Sequence, residues 1–108
     1  MSTFDEREKG FEKKFEHDQE FQFRAEARRN KLMGLWAAGQ MGITGADAEA
    51  YAREVVQADF EEPGPEDVIR KIKADFESKG VDKSDHQIRR QLDDCMAEAR
   101  RQMMSEAN

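Results

Sequence analysis

Hydrophobic positions along this chain fall into two regimes. In residues 1–18 the large apolar side chains after Met1 are Phe4, Phe11 and Phe15, set among closely interspersed acids and bases. At 100° per residue the three rings occupy an arc of ~40° on one helical face, with Gly10 on the far side. A stripe that narrow is too thin to fold alone, but its i, i+7, i+11 spacing suits docking into another protein's groove. From about Asp18 the phase changes. Phe21, Ala25, Arg28, Leu32, Leu35 and Gly39 recur at spacings of four and three, and Trp36 widens the stripe. On a straight helix this second stripe is expected roughly 100° away from the first. Either the chain breaks near His17–Glu20, with Asp18 as an N-cap, or the two faces serve different partners.

Three more helical segments follow. Gly39, Gly42 and Gly45 make a glycine-rich turn, after which Thr44 is placed to cap a helix carrying Ala48, Tyr51, Ala52, Val55 and Val56 at core spacing and closing near Phe60. Pro63-Gly64-Pro65 interrupts the chain, and Pro65 suits the first position of the next helix. Its buried face is expected to be Val68, Ile69, Ile72 and Phe76, with Glu66 and Asp67 at the positive end of the dipole and Gly80 as C-cap. Ser84 and Gln87 form a capping box ahead of a last stripe of Ile88, Leu92, Cys95, Met96, Ala99 and Met103. Nothing reads as strand. The expected fold is all-α: a four-helix bundle over residues 19–108, preceded by a mobile, partly helical arm over residues 1–18. Trp36, beside Ala25 and Gly39, is expected to anchor the core.

The arm is a poor helix by itself. Glu8, Glu12 and Glu16 form a like-charged i, i+4 row, and Lys9 with Lys13 forms another, each pair opposing the helix by a few tenths of a kcal/mol. Gly10 costs about 1 kcal/mol relative to alanine. Pairs such as Glu6–Lys9, Lys9–Glu12 and Lys13–Glu16 offset part of this. A segment so short is expected to fray when free and to become helical when bound. Packing of the Phe stripe on the protein's own core is the plainer alternative.

Composition narrows the function classes. A net charge of −6 and a pI near 5.0 leave no basic patch for nucleic acid. Charged residues make up 39% and the mean hydropathy is −1.00, so apolar residues must be placed economically. No run approaches the ~20 apolar residues of a membrane span, and one cysteine builds no disulfide framework, which suits a cytoplasmic setting. His17 and His86 belong to no metal-ligand spacing, no phosphate loop occurs, and Cys95 sits on an apolar stripe as a buried thiol. The identical tetrapeptides Ala58–Glu61 and Ala74–Glu77 read as two helices closing alike rather than as a repeat array. Neither a catalytic constellation nor a metal site emerges, and no cofactor is required by any motif.

Residues 27–38, Ala-Arg-Arg-Asn-Lys-Leu-Met-Gly-Leu-Trp-Ala-Ala, resemble the signature block of the ATPase inhibitor zeta-subunit family of bacterial F-type ATP synthases. The resemblance extends to Phe4–Phe15, Tyr51–Val56, Ala58–Gly64 and Asp67–Ile72 and so covers nearly the whole chain. It implies a four-helix domain whose N-terminal arm enters a catalytic α/β interface of the synthase head, becomes helical and blocks rotation in the hydrolytic direction. Phe4, Arg7, Phe11 and Phe15 would be the arm's anchors, with Lys13 and Lys14 facing acidic groups. The partner would be the head's α, β and γ subunits, reached by a monomer on the cytoplasmic side of the membrane-bound enzyme. The family is also associated with adenine-nucleotide binding, for which no motif marks a site here. Arg28, Arg29 and Asn30 are expected either to be solvated or to bond between helices. The residues alone leave a second class open: a helical adaptor or dimerisation module using the arm as a docking peptide.

Overall fold

The computed structural model describes the backbone of residues 2–58 and 64–106 and the side chains of residues 19–58 and 64–106. Four α-helices follow one another: α1 (Ser2–Gln40), α2 (Gly45–Ala58), α3 (Glu66–Lys79) and α4 (Asp85–Glu106), with no strand among the described residues. The expected ends of the helices are largely met. Gly42 and Gly80 both adopt left-handed φ, at 74° and 72°, and close α1 and α3 in the same way. Behind Gly42, Ile43 N–H donates to the Ala38 carbonyl at 2.8 Å and Gly42 N–H to that of Gly39 at 3.2 Å. Behind Gly80, Val81 N–H donates to Phe76 at 2.8 Å and Gly80 N–H to Glu77 at 3.4 Å. This pair of bonds is the Schellman arrangement, and Ile43 and Val81 each complete it by packing on the core. At the start of α4, Ser84 Oγ accepts from Gln87 N–H at 3.1 Å while Gln87 Oε1 accepts from Ser84 N–H at 2.8 Å, a reciprocal capping box. Pro65 stands one residue earlier than expected, as N-cap of α3, with near-helical φ −81° and ψ −6°. Phe60 lies outside the described residues.

The core joins Met33, Ala37 and Ala38 of α1 to Tyr51 and Val55 of α2, Val68, Ile69, Ile72 and Phe76 of α3, and Ile88, Leu92 and Cys95 of α4. The expected faces of α2, α3 and α4 are those that turn inward, with Ala48, Val56, Met96 and Met103 half-buried at the margins.

The first helix departs from expectation in three respects. It does not break near His17–Glu20: α1 continues through that segment, so position 18 lies inside a helix and not at the start of one. Its buried face is Ala25, Arg29, Asn30, Met33, Gly34, Ala37 and Ala38, turned well over 100° round the helix from the expected Arg28–Leu32–Leu35–Gly39 seam. Leu32, Leu35 and Trp36 are half-buried and Gly39 is exposed. The reason is close packing. Gly34 lies directly against Ala52, and small residues on both helices let the backbones approach while the large side chains flank the contact. Trp36 is therefore a flank rather than a fully enclosed anchor, with its ring edge-on to Phe76 at 5.6 Å between centroids.

The turned face changes the relation between the two stripes. At 100° per residue, the mean direction of the seven buried positions differs from that of positions 4, 11 and 15 by about 50°. The expected 100° offset is thus reduced by about half on the unbroken helix.

Candidate partner-binding arm and its junction with the bundle

The residues that the resemblance assigns to a partner, Phe4, Arg7, Phe11, Lys13, Lys14 and Phe15, all sit on the first half of α1. Their side chains lie outside the described residues. What is described is the place where that half of α1 leaves the bundle.

Helix α4 runs antiparallel to α1 and ends beside it. The Arg28 guanidinium grips the Glu106 carboxylate with two bonds, at 2.6 and 2.9 Å, from a position two-thirds shielded from water. Arg100 Nη2 donates to Gln22 Oε1 at 2.9 Å. Hydrogen bonds from Arg28 hold the Glu106 carboxyl below the usual carboxylate range. Since α4 ends at Glu106 and α2 at Ala58, α1 continues beyond the elements that cover it farther along. At the junction Phe21 is half-buried, while Phe23 is 76% and Met104 64% exposed. An open groove of about 710 Å³ lies here, with Phe21, Ala27, Val56 and Met103 as apolar wall and Arg24, Arg28, Lys31 and Glu106 at its rim.

Elsewhere the ionic groups fasten helices together. Arg89 of α4 bonds both oxygens of Glu66 on α3, at 2.7 and 2.8 Å, and Asp85 at 2.6 Å. Those bonds lower the carboxyl pKa of Glu66 and of Asp85. Glu98, bonded by Arg101 and Gln102, is lowered to about 2. The Tyr51 hydroxyl donates to Asp75 at 2.7 Å, and burial is the main cause of its raised pKa. Lys71 lies 5.2 Å from the Tyr51 ring and pairs with Asp75 and Glu54. Cys95 is buried as expected, its thiol pushed up by desolvation, with Gln91 Nε2 at 3.7 Å. Among the described residues no group of three His, Cys, Asp or Glu could hold a metal ion, and no helix is long and apolar enough to cross a membrane.

Of the signature residues, Arg28 bonds between helices, whereas Arg29 and Asn30 are buried. The sequence carried one sign of that burial. Ala25, Arg29, Met33 and Ala37 form an i, i+4 row in which the arginine stands between small or apolar residues.

The architecture is a four-helix bundle whose first helix outruns its neighbours. The profile of the family described as ATPase inhibitor subunit zeta matches residues 1–102, and the chain belongs to that family. Membership makes it a regulatory protein of ATP synthase. A solution NMR structure that is 52% identical superposes with a TM-score of 0.71, covering 79% of this chain and 96% of the other. No curated protein matches the chain.

Proposed function

We propose that this protein inhibits an F-type ATP synthase by inserting residues 1–18 as a helix into a catalytic α/β interface of the head, blocking ATP hydrolysis. One observation supports this most directly: α1 is unbroken from Ser2 to Gln40 and outruns α4. The partner would supply the missing surface. Phe4, Phe11 and Phe15 then act as groove anchors, Arg7, Lys13 and Lys14 pair with acidic groups, and residues 19–108 remain outside as a folded monomeric domain. In this reading the arm frays when free and orders on binding, on the cytoplasmic side of the membrane-bound enzyme. Adenine-nucleotide binding forms a secondary part of the proposal, to be read by titration of the free protein.

The test is ATP hydrolysis by the purified synthase head. Phe11→Ala with Phe15→Ala removes two aromatic anchors, and one central aromatic is worth about 2 kcal/mol or more. Even ~2 kcal/mol is a roughly thirtyfold loss of affinity. The double variant should stay folded and lose inhibition, with synthesis less affected than hydrolysis. Undiminished inhibition, or self-association with no arm-dependent partner, would favour the adaptor.

A further inference from the structure

The core gives out before the helices do. Among the described side chains Ala25 is the first buried on α1 and Ala99 the last on α4, yet α4 runs on to Glu106. Beyond those two alanines the helices are joined mainly by polar groups, with Phe21 and Met103 only half-buried. Arg28 bonds both oxygens of Glu106 and reaches Gln102 Oε1 at 3.5 Å, while Arg100 donates to Gln22. Arg28 also brings a cation to the C-terminal end of α4, where the helix dipole is negative. Exposed pairs of this kind add little to the stability of a whole fold, and the core from Ala25 to Ala99 stands without them. Their consequence comes from their place. They lie where the last covered turns of α1 meet the arm. Starting a helix is the costly step, with a penalty on the order of a thousandfold, whereas adding a residue to an existing helix end is close to neutral. The arm, with Gly10 and its like-charged rows, depends on such an end.

We propose that the Arg28–Glu106 and Arg100–Gln22 contacts form a clasp that holds the end of α4 against α1 and keeps a ready-made helix end from which residues 1–18 extend when they bind a partner. Arg28, Arg100 and Glu106 are then positioning residues: they touch no partner and act through the helix they steady. This rests on the reading that the arm binds as a helix. It adds the regulation of that step by the far end of the chain.

The experiment changes α4 alone and reads α1. In the full-length protein, Arg100→Gln with Glu106→Gln opens the clasp and leaves every residue of α1 in place. Cα secondary chemical shifts and amide hydrogen exchange should show the helical population N-terminal to Ala25 falling roughly two- to fivefold. Amides of the core should keep their protection, and the thermal midpoint should move by only a few degrees. The concentration giving half-inhibition of ATP hydrolysis by the purified synthase head should rise by a similar factor. The charge swap Arg28→Glu with Glu106→Arg should retain the parent's shifts and inhibition, which a merely steric role would not predict. If the swap does not fold, Glu106→Gln alone serves, since it removes one charge from an exposed position and should give part of the loss. Arm shifts unchanged by the α4 substitutions, a loss of core protection that accompanies the loss in the arm, or a folded swap that behaves like the open variant would overturn the proposal. A parent protein that does not inhibit would strike the inhibitory reading instead, and the shifts of the free chain would still decide the clasp.

Discussion

The Cα of Ala52 lies 2.6 Å from where Gly34 would carry a Cβ, with Ala52 Cβ and Val55 Cγ2 each at 3.2 Å. Backbone, not a pliant side-chain tip, blocks that space, so no rotamer change can relieve a substitution. Gly34→Ala should push α2 off α1 and destabilise the bundle by ~1–3 kcal/mol, or several degrees in thermal midpoint. Gly39, on the same helix, meets nothing within 4 Å. Gly39→Ala should instead stabilise by about 0.5–1 kcal/mol through helix propensity. Thermal melts of the two variants should move in opposite directions.

Phe76 is 1% exposed while its edge-on partner Trp36 is half-buried. Phe76→Ala should therefore cost ~3–5 kcal/mol and Trp36→Ala less, reversing the order expected from ring size. A double-mutant cycle should give a coupling of about 0.5–1.5 kcal/mol for the pair. Equal losses with no coupling would show that the ring contact contributes nothing.

Removal of residues 1–17 should leave a folded bundle, because the core residues run from Ala25 to Ala99. The melting temperature should drop by only a few degrees, a loss of roughly 1 kcal/mol or less in a domain of this size. Inhibition of hydrolysis should vanish with the same deletion. Loss of helicity beyond the deleted segment would place the Phe stripe in the core.

Acid should weaken the fold gradually. Glu66, Asp85, Glu98 and Glu106 all have lowered pKa values in the folded chain, each with a hydrogen bond to arginine as the first cause. A lowered folded pKa contributes stability above the unfolded value, 4.5 for Glu and 3.8 for Asp, and that contribution is lost as pH falls through the folded value, about 2 for Glu98. Denaturant midpoints should thus decline from about pH 5 toward pH 2, and less steeply in high salt, since these pairs are solvent-exposed.

Much of this architecture was legible in local chemistry. Ser84 with Gln87, Gly80 and the α3 and α4 stripes each announce themselves within a few residues, because caps and faces of that kind are satisfied by near neighbours. The core face of α1 was not legible. Leu32, Leu35 and Trp36 are the bulky side chains that a periodicity reading favours, yet the helix turns Gly34, Ala37 and Ala38 inward, a choice made by how closely α2 can approach. Of the candidate site, the Phe4–Phe15 spacing was visible at once. The burial of Arg29 was marked only by its place in the Ala25–Met33–Ala37 row, because it depends on where helices distant in sequence lie.

An uninterrupted α1 also fixes an angle. Anything that holds the first half of the helix holds the bundle at a set azimuth and a set height, since each residue contributes about 100° of rotation and about 1.5 Å of advance. One alanine inserted after Glu20 would swing the Phe stripe by about 100° relative to Met33 while changing no existing side chain. Seven inserted alanines would nearly restore the azimuth and lengthen the reach by about 10 Å. A partner that contacts only the arm should bind both variants alike, whereas one that also touches the bundle should discriminate between them, which makes the helix a protractor for the geometry of the complex.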